Sequence, residues 1–196
     1  MMVEKVIEFD SVPYIALGNP TPEFLQISPL GKVPVLEHDG RAIADSLAIC
    51  MYLEKLCPEP AFFPEDAGQL AHAMWINQYA DALFQAEGPV FVNRKLRPLR
   101  GQPIDFAALD EALAKLPSYF SYLEAQLGSG PYFCGEAFTI ADLTIGAVFG
   151  GLHHANSLPD GTTYPELSAF IERVHTRPSF KPLLDEDALF LDGLGK

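Results

Sequence analysis

Asp45 and Ser46 open an apolar stretch of helical period, "DSLAICMYLEKL". A serine at or near a helix start can aim its hydroxyl and backbone N–H at a carboxylate, and the positive end of the helix dipole favours the same charge. Just upstream, Val33, Val35 and Leu36 read as the start of a strand closed by an Asp39-Gly40 turn. Pro34 sits inside it, where it can donate no ladder hydrogen bond; on spacing alone the commoner arrangement is an edge-strand proline in a trans turn. Lys32 places a cation in the same loop, where it either meets an anion or is simply solvated. Cys50, Cys57 and Cys134 are odd in number and lack CxxC or zinc-ligand spacing, so they are expected to be reduced thiols. His153 and His154 are adjacent, with no partner carboxylate at ligand spacing, and support no metal site.

These residues need elements to hold them. The chain has 196 residues, enough for one or two compact units, and 48% hydrophobic with 20% charged residues supports a packed core. A net charge of −13 would repel a phosphate backbone, which argues against a nucleic-acid partner. No apolar run approaches a bilayer span and the start, "MMVEKVIEFD", has no signal-peptide plan, so no membrane partner and a cytoplasmic location are expected.

Up to about residue 60 the pattern is of short period. "VEKVIEFDSVPYIAL" predicts a strand with Ile7 and Phe9 on one face, and "TPEFLQISPLG" a short helix stopped by Pro29 and Gly31. "KVPVLEH" and "RAIA" flank Asp39-Gly40 as a hairpin, and the helix of Asp45-Ser46 follows. "CPEPAFFPEDAGQ" reads as an ordered linker. The boundaries are therefore an α/β unit over 1–60, a linker over 61–68 and an α-helical unit over 69–196.

In the second unit, Leu70, Ala73, Met74, Ala80, Leu83 and Phe84 predict a long helix that ends or kinks at Gly88-Pro89. Phe106, Leu109, Leu113, Leu116, Phe120, Leu123 and Leu127 predict another, kinked at Pro117. Leu167, Phe170, Ile171 and Val174 form the inward face of a third. "GEAFTIADLTIGAVFGG" carries a capping box, Thr139 with Asp142, and a staple of Phe138 with Leu143, before a helix apolar nearly all round that must be central to the bundle.

Taken together, "SPLGKVPVLEHDGRAIADSLAICMYLE" and "YFCGEAFTIADL", in this order, resemble the cytosolic glutathione S-transferase family of bacterial type, over about Val3 to Phe180. The resemblance implies an α/β thioredoxin-like N-terminal domain plus an all-α C-terminal helical bundle. It implies glutathione as cofactor, a small electrophilic substrate and a homodimer, the first unit of one chain against the helices after the linker in the other. It also implies that the Val33-Pro34 bond is cis, that the Val33 backbone pairs with the cysteinyl part of glutathione, that Asp45 and Ser46 receive the γ-glutamyl carboxylate, and that Lys32 meets the glycyl carboxylate.

In that family a first strand and helix precede the stretch matching "VEKVIEF", and the thiol-activating Tyr, Ser or Cys lies near their junction. The resemblance therefore implies an N-terminally truncated chain, lacking roughly 20 residues by ordinary element lengths, with weak glutathione binding and little conjugating activity. Ser11, Tyr14, Ser28 and Cys50 are the nearest side chains of suitable type; none sits at a strand-to-helix junction, and no catalytic residue is assigned. The electrophile pocket is expected among Trp75, Tyr79, Phe84, Phe91, Asn93 and Arg94. The alternative is a non-catalytic interaction module on the same fold, as in stringent starvation protein A.

Overall fold

Four helix starts carry the same local chemistry. Thr21, Asp45, Asp66 and Asp105 each accept a hydrogen bond from a backbone N–H three residues on, at 3.2, 2.9, 2.9 and 3.1 Å, which satisfies an otherwise orphaned donor. The computed structural model describes residues 1–12 and 20–194, which fall into two units, Met1–Ala61 and Phe62–Lys196.

In the first unit, α1 (Pro22–Ile27) is followed by β1 (Val35–His38), β2 (Arg41–Ala44) and α2 (Ser46–Leu56). Asp39 and Gly40 both take positive φ, 49° and 73°, as the two-residue turn of a twisted hairpin requires. The turn fixes the register Val35↔Ala44, Leu36↔Ile43, Glu37↔Ala42 and His38↔Arg41. His38 Nδ1 lies 2.8 Å from the Tyr52 hydroxyl, tying the hairpin to α2, whose Ile49, Cys50 and Leu53 are buried.

The strand expected around Ile7 and Phe9 is not formed. Residues 2–6 make a turn instead, in which Ile7 N–H donates to Met2 C=O and Val6 N–H to Val3 C=O, with Val6 at φ 54°. This is the Schellman pattern that ends a helical turn. Among the described residues nothing offers Ile7–Val12 a ladder, and extended backbone without a partner is not a strand; Phe9 is half exposed.

Lys5 is the unexpected core residue of this unit. Its ammonium is fully buried, 2.8 Å from Glu54 Oε2, and donates to the carbonyls of Cys57 and Pro60 at 2.6 and 2.7 Å. A buried cation is tolerated when its protons are all matched by acceptors. Lys5→Met is expected to destabilise the unit by about 2–3 kcal/mol in urea unfolding, below the usual loss for a broken buried pair because the partly exposed Glu54 can rehydrate.

The second unit is built from α3 (Ala67–Phe91), a π-helical segment Val92–Leu96, α4 (Arg97–Leu99), α5 (Phe106–Leu127), α6 (Ile140–His154), α7 (Pro165–His175) and α8 (Lys181–Leu194). Pro89, expected to end or kink its helix, and Pro117, expected to kink its own, both leave the helix continuous. Pro89 and Pro117 lie inside α3 and α5; each removes one backbone bond, and buried neighbours hold the helix on both sides, Ala86 and Val90 in one case, Leu116 and Phe120 in the other. One turn later Asn93 Nδ2 donates to Pro89 C=O at 2.9 Å and the chain widens to π geometry.

Helix α6 is the central element, packed on α3 and α7. Ile145, Phe149 and Leu152 are fully buried, as are Leu167, Phe170 and Val174 of α7, each contributing about 1.5–3 kcal/mol of transfer free energy. The capping box is present. Asp142 Oδ2 accepts from the Thr139 N–H at 2.7 Å and its hydroxyl at 3.0 Å, and Oδ1 accepts from the Phe133 N–H at 2.9 Å. The first orphan amide of α6, on Ile140, donates to Phe62 C=O at 2.9 Å.

Where α3 meets α6, Gly151 leaves room for a carboxyl: a Cβ there would lie 1.8 Å from Glu87 Oε1. Glu87 is 4% exposed, and burial pushes its carboxyl up to about 7. A carboxyl raised on folding favours the native state most below its unfolded value, and that contribution is lost as pH rises through 7. At about 1.4 kcal/mol per unit the loss is roughly 3 kcal/mol. His154 and His175, both held low by burial, act in the opposite sense, and Asp142, pushed up to about 6 by burial, acts in the same sense, so the expected result is a difference: between pH 5 and 8 the urea stability of Glu87→Gln falls by roughly 3 kcal/mol less than that of the parent.

Candidate functional site

The hairpin register brings the sequence-predicted residues together. Because Val35 pairs with Ala44, the residues before β1 and after β2, Val33-Pro34 and Asp45-Ser46, leave the hairpin at the same open end, opposite the Asp39-Gly40 turn. The Val33-Pro34 peptide is cis. Val33 is 59% exposed, and among the described residues its N–H and C=O have no hydrogen-bond partner. β1 begins only at Val35, so this backbone is left as an unfilled rung.

Asp45 caps α2 through Oδ1 in a backbone conformation, φ 99° and ψ 128°, that a non-glycine residue adopts only at a cost of about 1–3 kcal/mol. Such strain persists where the surroundings hold it, and it marks functional positions. Ser46 is thus the first residue of the helix and not its cap. Its hydroxyl is exposed and has no partner among the described residues, beside the unpaired N–H groups of the first turn.

Ser28 holds the loop that carries Lys32. Its hydroxyl donates to Lys32 C=O at 2.7 Å and accepts the Lys32 N–H at 3.0 Å, leaving the Lys32 ammonium exposed. The open end of the hairpin therefore offers one backbone donor and acceptor, one helix N-terminus with a spare hydroxyl, one cation and one carboxylate. That set complements a small, extended, peptide-like molecule bearing carboxylates and an amine.

The side chains weighed as thiol activators do not come forward. Ser28 is 1% exposed and its hydroxyl is spent on Lys32. Cys50 is buried, and burial pushes its thiol up. Ser11 is exposed in an irregular segment, and Tyr14 lies outside the described residues. Two residues expected at the electrophile pocket hold structure instead. Asn93 Oδ1 accepts the Asp105 N–H at 2.8 Å, and Arg94 donates to Asn156 C=O and the Ser157 hydroxyl at 3.1 and 2.9 Å. Trp75 donates to the Tyr122 hydroxyl within a surface cluster with Tyr79 and Tyr119.

Residues 1–56 match the family model described as the glutathione S-transferase N-terminal domain, and residues 107–187 the C-terminal domain. Glutathione S-transferase F13 of Arabidopsis thaliana is 30% identical over 186 residues, spanning 90% of this chain and 84% of its own. A glutathione S-transferase structure from Rhodospirillum rubrum superposes with a TM-score of 0.82 at 26% identity, covering 93% of this chain and 83% of that one. One from Methylobacillus flagellatus, with glutathione bound, gives 0.76 at 25% identity, covering 92% and 89%. The fold is accordingly a thioredoxin-like domain plus a helical domain, and the chain belongs to the glutathione S-transferase family.

Proposed function

We propose that this chain binds glutathione at the open end of the hairpin and transfers its thiolate to a small electrophile. The observation that carries the reading is the unpaired Val33 backbone at the same end of the hairpin as Ser46 and the α2 N-terminus. The glutathione-bound relative from Methylobacillus flagellatus supports the choice of ligand. In this reading the cysteinyl backbone pairs with Val33 as one antiparallel rung, directed by Pro34. The γ-glutamyl carboxylate takes the Ser46 hydroxyl and the first amides of α2, the Asp45 carboxylate faces the γ-glutamyl amine, and Lys32 faces the glycyl carboxylate.

In the reaction the sulfur forms a bond to an electrophilic carbon while a leaving group departs or a double bond accepts the electron pair. A free thiol titrates near pH 8.5, so only a few per cent is thiolate at pH 7; the group that lowers this value is not assigned. A cytoplasmic homodimer accompanies the proposal, and the exposed Trp75, on the aromatic cluster of α3 and α5, supplies apolar surface for an interface. The test is retention on immobilised glutathione with elution by free glutathione, followed by a conjugation assay with an activated chloroarene. Retention with thioether formation above the uncatalysed rate is expected. A chain that is not retained contradicts the proposed ligand, and one retained without turnover contradicts the transfer step.

A further inference from the structure

A cavity of about 460 Å³ at the C-terminal end of α6 gathers charged side chains that neither the glutathione reading nor the bundle core uses. Lys95, His153, His154, Asn156 and Leu158 line it, and its volume is in the range of small-ligand pockets. The side chain of His154 is only 8% exposed, and its Nε2 has no hydrogen-bond partner; the nearest carboxylate oxygen, Oδ2 of Asp187, is 3.9 Å away, beyond hydrogen-bond reach. Burying an unsatisfied imidazole nitrogen is costly. Arg94, next to Lys95, is already committed to Asn156 C=O and the Ser157 hydroxyl. Lys95 therefore remains the cation facing the cavity, and His153 stands edge-on to His154 with centroids 5.3 Å apart.

We propose that this cavity binds a small oxyanion, a sulfate, phosphate or carboxylate group, between the Lys95 ammonium and the His153 imidazole, with the Asn156 amide as a neutral donor and the buried His154 imidazole behind it. A bound anion offsets the repulsion among Lys95, His153 and the buried His154. The charged and titratable groups facing His154 are His153 on its own helix, Lys95 from the π segment, Asp187 from α8 and His175 from α7. Burial, His153 and Lys95 hold His154 below the ordinary histidine range, and Asp187 alone pulls the other way. An anion in the cavity reverses that balance, so binding takes up a proton and tightens as pH falls from 8 to 6.

Sulfate is the suitable probe because its charge is constant over this range. Imidazole resonances of the full chain are followed by NMR from pH 5.5 to 8.5 in sodium sulfate and in sodium chloride of equal ionic strength. The expected result is a His154 midpoint at least half a unit higher in sulfate, equivalent to about threefold tighter binding at the low-pH end. Lys95→Gln is expected to abolish that shift while leaving retention on glutathione unchanged. Repeating the titration with methyl phosphate and with acetate assigns the occupant as a tetrahedral ester or a carboxylate, according to which gives the larger shift. A His154 midpoint equal in sulfate and chloride, or a shift that survives Lys95→Gln, overturns the proposal.

Discussion

Asp142→Ala is expected to cost the helical unit about 4 kcal/mol or more, enough to leave much of it unfolded at 37 °C. Asp142 is fully buried, and its carboxylate accepts from two backbone N–H groups and one hydroxyl. Alanine leaves all three donors in a water-free site, at about 1–3 kcal/mol each. Losses of that size arise only from a few mechanisms, and stranding buried polar groups is one. Asp142→Asn keeps one carbonyl acceptor and is expected to recover part of the loss, which a capping contribution of about 1 kcal/mol alone would not explain. Burial pushes the Asp142 carboxyl up to about 6 against the three donors that hold it down. Urea unfolding of the three proteins at pH 7.5, followed by far-UV circular dichroism, measures the differences.

Ser46→Ala is expected to weaken glutathione binding about tenfold and to leave α2 intact. A hydrogen bond to a charged group contributes roughly 1.5–3 kcal/mol, and a factor of ten is about 1.4 kcal/mol. Two roles separate here because the cap and the free hydroxyl lie on different residues. Asp45 caps the helix through the Ala48 N–H, and Ser46 keeps a free hydroxyl among the described residues. Asp45→Ala, in contrast, is expected to lower stability by about 1 kcal/mol through loss of the cap and to weaken binding as well. Calorimetric titration with glutathione and thermal unfolding, on both variants, measure the two effects apart.

What could be read from the sequence is what local chemistry decides. Asp39-Gly40 specifies its hairpin, and from the hairpin's register follows the meeting of Val33 with Ser46 at one end. The spacing of Phe106, Leu109, Leu113, Leu116, Phe120, Leu123 and Leu127 specifies α5; five of the seven are buried, Leu113 is half-buried and Phe106, in the first turn, is exposed. Thr139 with Asp142 specifies the start of α6. What could not be read depends on partners far along the chain. Lys5 looks like a solvated lysine until the carbonyls of Cys57 and Pro60 close on it. The π segment holds Asn93, whose side-chain oxygen accepts the Asp105 N–H from beyond the helix. Glu87 is buried because Gly151 of another helix leaves space for it. Helix α8 hides in an acidic stretch in which, among the described residues, Leu191 alone is buried, too weak a periodic signal to stand out. The strand expected at Ile7 and Phe9 fails for the same reason, since a ladder is a property of two segments and the alternation of one says nothing about the other.

The account rests on glutathione lying against the open end of the hairpin, and amide NMR of the 196-residue chain during a glutathione titration tests that most directly. Saturable shifts of the Lys32, Val33, Asp45 and Ser46 amides, with the Val33 resonance moving downfield as its N–H gains an acceptor, are the predicted result. Glutathione at millimolar concentration that leaves these four amides in place, or that shifts only residues of the helical unit, would contradict it.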